Sequence, residues 1–320
     1  MIHLPLNVNE GDGIELAERY QVGHTFPVFI LTDSTGEVIR RWTGYTGGAT
    51  TLIATLNQAL SDMIGIDDRI KRCEQSPTHT DAVFLAKYFA DAGENVTAIT
   101  YYRKAQGLST NRFVTYAYDI FTNTANAVWD DLLPYQDVLD AADSVLNAKR
   151  WNPDHVIKVG KLMARLARRK DKVKTSGKYL LAGINAASNS RNARHQESYQ
   201  LLRADYALHI TGDTTGAVTL KKATMGDGWQ ENRDRFYEYS KWCLERRIKL
   251  GEAEQYARKT VNLVYPGKIR AMVLNTLAEI VFAQGDAIRA AGIIRLAIEQ
   301  EPDNDFYPKQ LRRFESTEGN

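Results

Sequence analysis

An α/β segment followed by an all-α array of paired helices is the fold class that this sequence predicts. Three observations predict it. Near the N-terminus, the apolar run VFILT (28–32) and the run EVIRRW (37–42) flank DSTG (33–36), a turn sequence. From about Ile66 onward strand signals nearly vanish, and helical periodicity runs almost to the end, punctuated by Gly, Asn-Pro and Asp-Gly breaks. Small residues then recur at matching offsets in two distant stretches, 81–105 and 272–304.

Composition sets the outer bounds. A chain of 320 residues with 43% hydrophobic and 25% charged residues reads as a globular protein of more than one unit. The net charge of +2 gives no global argument for nucleic acid or an anionic membrane. No apolar run approaches the roughly 20 residues of a membrane helix. The opening text MIHLPLNVNEGDG lacks the basic start and apolar core of a signal peptide, so the chain as it stands reads as cytoplasmic, and as exported if a segment precedes it. The two cysteines, Cys73 and Cys243, are far apart, which excludes a disulfide framework and any CxxC. Each reads as a small buried hydrophobe in helical text.

In chain order, HLPLNV (3–8) reads as a short strand and GIELAERYQV (13–22) as a helix with Ile14, Leu16, Ala17 and Tyr20 near one face. VFILT is a continuous β-branched and apolar run, as expected of a strand buried on both faces. In DSTG, Asp and Ser bond locally and Gly accepts a positive φ, so EVIRRW returns as the partner strand of a hairpin. ATTLIATLNQAL (49–60) closes the region as an amphipathic helix. About a dozen helices, joined by short turns, follow.

The matching offsets are these. Ala86 is followed by Gly93 at +7, Ala98 at +12, Tyr102 at +16 and Ala105 at +19; Ala278 is followed by Gly285, Ala290, Ile294 and Ala297 at the same distances, and then by Pro302. Antiparallel helices approach closely only where small residues face each other, here Ala86 against Ala98 and Ala278 against Ala290. Gly93 and Gly285 end the first helix of each pair in a left-handed conformation, and Pro302 stops a second helix. At these residues the chain resembles the tetratricopeptide repeat, a helix–turn–helix unit of about 34 residues. Residues 201–223 and 238–266 match loosely, with a one-residue slip; 112–190 keep the helical period without the small-residue offsets. The resemblance implies an α-solenoid of about six helix pairs over 66–316, some degenerate.

Residues 1–62 resemble the thioredoxin family from its second half onward. The resemblance covers about 55 residues: LAERYQV, FPVFIL, the DSTGE hairpin, RRWTGY and TLIATLNQAL. It implies a cis peptide at Phe26–Pro27 and a surface at His24, Phe26 and Pro27 that presents backbone to an extended peptide. The family's first strand and dithiol would lie upstream of Met1, so the chain cannot carry out dithiol–disulfide exchange, which needs an attacking and a resolving thiol. Two explanations stand. The domain is naturally incomplete and serves binding or support, or the polypeptide begins further upstream as a thiol–disulfide oxidoreductase or redox chaperone. The open sheet edge is expected to be shielded by a helix, by the helical array or by a second molecule.

Other motifs carry less. The six histidines, His3, His24, His79, His155, His195 and His209, show no HxxxH or HExxH spacing, so no metal is expected. GDG at 11–13 reads as a turn and helix start; neither a Walker lysine nor GxSxG occurs. Residues 161–178 are dense in Lys and Arg, with Arg165, Arg168, Arg169 and Lys170 as candidates for an anionic partner; no aromatics interleave to stack on bases, and an exposed helix face accounts for the run. The sequon Asn95-Val96-Thr97 falls at a helix start. Aromatic clusters at helical spacing read as core. Val83 and Lys87, at concave positions of the first repeat, do not reproduce a clamp for a peptide C-terminus. The expectation is a protein-interaction scaffold, capped by a non-catalytic α/β remnant, with no cofactor and with a protein or peptide ligand on the concave face.

Overall fold

The computed structural model describes residues 5–8, 10–22, 26–44, 48–111, 115–148, 152–188 and 190–316. The chain divides into two compact units, Met1–Leu166 and Ala167–Asn320.

The first unit opens with α1 (Asp12–Arg19), the hairpin of β1 (Val28–Thr32) and β2 (Val38–Thr43), and α2 (Ala49–Leu60). The strand expected over 3–8 does not form in its described part: Asn7 O accepts from Glu10 N at 3.2 Å, and the chain turns into α1. Gly13 permits this, since a Cβ there would lie 1.9 Å from Asn7 O. The hairpin is antiparallel, in register from Val28 opposite Thr43 to Leu31 opposite Arg40. Asp33 closes its turn by accepting from the backbone N–H of Thr35 at 2.8 Å and of Glu37 at 2.9 Å, with Gly36 at φ +85°. Phe29 and Trp42 stack across the strands at 5.3 Å. VFILT is half-buried along its length rather than enclosed on both faces, because among the described residues β1 has β2 as its one neighbour. The other strand is better covered. Val38 of β2 packs into the core of Ile66, Cys73, Ala82 and Leu85, and Arg40 lies over the Phe84 ring at 5.1 Å. The hairpin thus covers the start of the helical array.

Among the described residues α3 (Ile66–Gln75) stands in front, and twelve helices follow that are taken two by two in sequence order, the first of each two ended by the same backbone device. They are α4 (His79–Asp91) and α5 (Asn95–Leu108), α6 (Ala117–Trp129) and α7 (Tyr135–Leu146), α8 (Pro153–Arg169) and α9 (Gly177–Ser188), α10 (Ala193–Tyr206) and α11 (Thr214–Ala223), α12 (Arg233–Arg246) and α13 (Leu250–Leu263), and α14 (Lys268–Ala283) and α15 (Ala287–Gln300); α16 (Phe306–Glu315) comes last. Just beyond the first helix of each pair stands a left-handed residue: Gly93, Asp131, Asp171, Gly212, Arg247 and Gly285. The next N–H then bonds back across the helix end, Glu94 to Phe89 O at 2.8 Å, Leu132 to Ala127 O at 2.8 Å, Lys172 to Ala167 O at 2.7 Å, Ile248 to Cys243 O at 3.2 Å and Asp286 to Val281 O at 3.2 Å. The intervals exceed the tetratricopeptide unit of about 34 residues, but the device repeats without a break.

The small-residue position survives in every pair. Seven residues before the left-handed residue stand Ala86, Thr124, Ala164, Ser240 and Ala278, and all are buried. Ala204 is the equivalent before Gly212, one residue further back, because a π turn at Ala207–Thr211 inserts a residue into the helix end. The slip after α12 has a different cause: Lys249 is a second left-handed residue, which lengthens the turn, and Ser240 Oγ then donates to Ala253 O at 3.0 Å. Ala86 and Ala98 lie in one buried cluster with Tyr102, and Ala278 and Ala290 lie together in the core of the second unit. That core centres on Trp229, Phe236, Tyr239 and Tyr256, with ring centroids 5.2–5.6 Å apart for Trp229–Tyr256, Phe236–Tyr256 and Tyr239–Tyr256, and on the aliphatic faces of α14 and α15. Each fully buried side chain of this size stabilises by about 1.5–3 kcal/mol.

Candidate functional site: the first-helix face of the N-terminal unit

In the first unit, the first helices of successive pairs carry a polar and aromatic stripe. Helical spacing puts Val83, Lys87 and Asp91 on one side of α4, and Asp119, Thr122 and Asn126 on one side of α6. Cross-links hold these helices in register. Tyr116 Oη and His79 Nε2 are 2.9 Å apart, Asn126 Nδ2 donates to Asn95 Oδ1 at 3.4 Å, and Tyr118 stacks on His155 of α8 with centroids 4.0 Å apart.

Asp91 is the last residue of α4, Asp119 lies in the first turn of α6, and Tyr102 of α5 packs against Ala86 and Ala98. Neither carboxylate has an ion-pair partner within 4.0 Å among the described residues; Asp119 accepts only from its own backbone N–H. Burial by the surrounding protein pushes both carboxyls above the ordinary carboxylate range, against the pull of nearby cations: Arg41 and then Lys87 for Asp91, Lys87 and His155 for Asp119. Yet Asp91 is exposed and Asp119 half-exposed to solvent. The Tyr102 ring is 4% exposed, its hydroxyl has no hydrogen-bond partner among the described residues, and it lies within electrostatic reach of both aspartates. Arg41 is engaged elsewhere, donating to Tyr20 O at 2.5 Å and Gln21 O at 2.9 Å at the end of α1. Burial keeps His155 below the ordinary imidazole range.

The residues singled out from the sequence fall as follows. Phe26–Pro27 is a cis peptide, Phe26 is exposed and Pro27 leads directly into β1. His24 lies outside the described residues. Arg165 in the first unit lies over the Trp129 ring at 4.7 Å. In the second unit, Arg168 is drawn inward to Asp205 at 3.3 Å with its side chain 14% exposed, while Arg169 is exposed. Both cysteines are buried; burial raises the Cys73 thiol and pushes Cys243 up to about 11. No group of three or more His, Cys, Asp or Glu residues able to hold a metal occurs among the described residues. No helix among them is long and apolar enough to cross a membrane. Sequence reading placed Val83 and Lys87 on this face but missed Asp91, Asp119 and Tyr102. Tyr102 was legible as a repeat position, but that its hydroxyl lacks a partner shows only in three dimensions.

Two hollows lie elsewhere. One of about 450 Å³ lies between α5, α6 and α7, lined by Arg103, Gln106, Asp137 and Asp140; another of about 630 Å³ flanks the π turn in the second unit, lined by Arg203, Tyr206, Thr211 and Asp213. In neither does a buried polar group stand without a partner.

No family model matches the chain, and no curated protein matches it. Among solved structures, the fold is similar to the crystal structure of a tetratricopeptide repeat protein from Parabacteroides merdae ATCC 43184, with a TM-score of 0.53 and 11% sequence identity over 83% of this chain and 96% of that one. The helical part of the chain is therefore built of tetratricopeptide-like repeats.

Proposed function

We propose that this chain is a protein-interaction scaffold whose first-helix face, on α4, α6 and the start of α8, takes an extended segment of a partner protein. The observation that carries the reading is the array of repeated helices, whose first helices in the N-terminal unit are held in register by the His79–Tyr116, Asn95–Asn126 and Tyr118–His155 contacts. The α/β part, read as a thioredoxin-like remnant, serves as an N-terminal cap for the array; the cis Phe26–Pro27 bond and the order of hairpin and helix support that reading. Both cysteines of the chain sit in the helical region and are buried. Selection of a random peptide library on the full chain tests the proposal. Peptides whose binding is abolished by Tyr118→Ala or Asn126→Arg, and unchanged by Val96→Lys on the exposed side of α5, are the expected result. A library that yields no binder, or binders insensitive to the first two changes, refutes it.

A further inference from the structure

We infer that the hollow between α5, α6 and α7 binds a basic amino acid, lysine or arginine, in its free form; the inference is independent of the first-helix face. Three features carry it. The first is that one cavity brings the groups together. Arg103 of α5 and Asp137 and Asp140 of α7 line the same hollow, and Ala117, Ile120 and Ala141 give it an apolar part. Its volume of about 450 Å³ lies in the range of small-molecule sites. The second is that its charges are not spent on one another. No salt bridge joins Arg103 to either aspartate among the described residues, and neither the Arg103 guanidinium nor the Asp137 carboxylate has another partner there. Asp140 accepts from Gln136 Nε2 at 2.8 Å through Oδ1, which leaves Oδ2. The third is the charge count. One guanidinium stands against two carboxylates, so a guest with one carboxylate and two cations completes the hollow with no charge left over. Free lysine and free arginine carry that set: an α-carboxylate for the planar fork of Arg103, and two cationic donors for Asp137 and Asp140. Their methylene stems suit the apolar part. A neutral or acidic amino acid leaves a carboxylate of the hollow unmatched.

Isothermal titration calorimetry on the full chain tests this with L-lysine, L-arginine and three analogues of lysine that each lack one charge: norleucine, lysine amide and Nα-acetyl-lysine. The expected result is binding of lysine or arginine, weakened roughly tenfold or more by each deletion, the size of one charge-assisted hydrogen bond. Arg103→Gln lowers the affinity for lysine by a comparable factor and leaves that for lysine amide unchanged, a non-additivity that a merely structural defect does not produce. Arg103 is exposed, and thermal unfolding checks that the variant folds; the comparison of analogues on the parent chain needs no variant at all. Lysine and arginine that neither give a binding heat nor raise the unfolding temperature overturn the inference, and so does any of the three analogues binding as tightly as lysine. Either result leaves the peptide selection on the first-helix face untouched, so the two readings fail separately.

Discussion

Asp205 accepts two hydrogen bonds from Arg246, at 2.7 Å from Nε and 3.1 Å from Nη2. Arg168 stands 3.3 Å away and His209 Nε2 4.0 Å away, so α10, the end of α8 and the end of α12 meet at one buried carboxylate. Burial is the largest influence on Asp205 and pushes its acidity down, yet Arg246 and Arg168 together hold the carboxyl below its ordinary range. His209 is different: burial pulls it to about 4, and its Nε2 is buried without a hydrogen bond. The pH dependence has two stages. The unfolded chain protonates His209 near 6.5 and the native one near 4, so the unfolded state binds more protons between these values and stability falls as pH drops through that window. The loss amounts to roughly 3 kcal/mol. Asp205, with its native pKa depressed, contributes stability that is present above its unfolded value of 3.8 and is lost below it. Urea unfolding at stepped pH values should show the first stage vanish in His209→Gln. Asp205→Ala should cost about 3–5 kcal/mol at neutral pH, because it takes from the buried Arg168 and Arg246 the carboxylate they share. A stability constant between pH 6.5 and 4 would contradict the first stage.

Much of the array was legible because its signal is local. Gly93 and Gly285 mark helix ends in the sequence itself, and the structure gives them φ values of +81° and +93°. The α2 boundaries and the hairpin follow from periodicity and turn chemistry in the same way. The middle pairs were hidden because Asp131, Asp171 and Arg247 hold the left-handed position without the glycine that announces it. The slips at α10 and α12 read as degeneracy and prove to be a π turn and a second left-handed residue, Lys249. The strand at 3–8 failed in its described part because alternation cannot report the turn at Asn7–Glu10. The contacts of Tyr116 with His79 and of Tyr118 with His155 were illegible because each joins residues 37 apart in sequence on different helices.

The left-handed positions make a paired prediction. A non-glycine residue there costs about 1 kcal/mol per position relative to glycine. Arg247→Gly and Asp131→Gly should therefore stabilise by about 0.5–1 kcal/mol, and Gly285→Ala should destabilise by about 1 kcal/mol. Nothing lies within 4 Å of a Cβ at Gly285, so backbone conformation alone sets that cost. Chemical denaturation of the three variants gives the comparison. A destabilised Arg247→Gly would mean that the side chain, rather than the turn, maintains that helix end.

Thiol reactivity separates the scaffold reading from a redox one. Cys243 is buried, and burial pushes its thiol up to about 11; Tyr239 and the nearby cations pull the other way without prevailing. Cys73 is raised by burial as well, with Lys104 opposing. A thiol held protonated and covered is a poor nucleophile. A disulfide reagent such as Ellman's should label neither cysteine in the folded chain at neutral pH and both in urea. Insulin reduction by this chain should be blank. Fast labelling of Cys73 in the native state would count against its structural role.

The Asp119 carboxyl gives the fourth test. Because burial raises its native pKa above the unfolded value, the native state holds the proton more tightly. Its contribution is therefore most favourable at low pH and declines as pH rises through the range between the ordinary carboxylate value and the raised native one. Lys87 and His155 soften the cost but do not remove it. Asp119→Asn keeps the shape and removes the charge, so at neutral pH it should stabilise the chain by about 0.5 kcal/mol, the upper range for a partly exposed site. The gain should shrink as pH falls towards the ordinary carboxylate range, where the native carboxyl is itself protonated. Thermal unfolding of parent and variant at neutral and acidic pH reads the effect. A variant less stable than the parent at neutral pH would show that the Asp119 charge supports the fold.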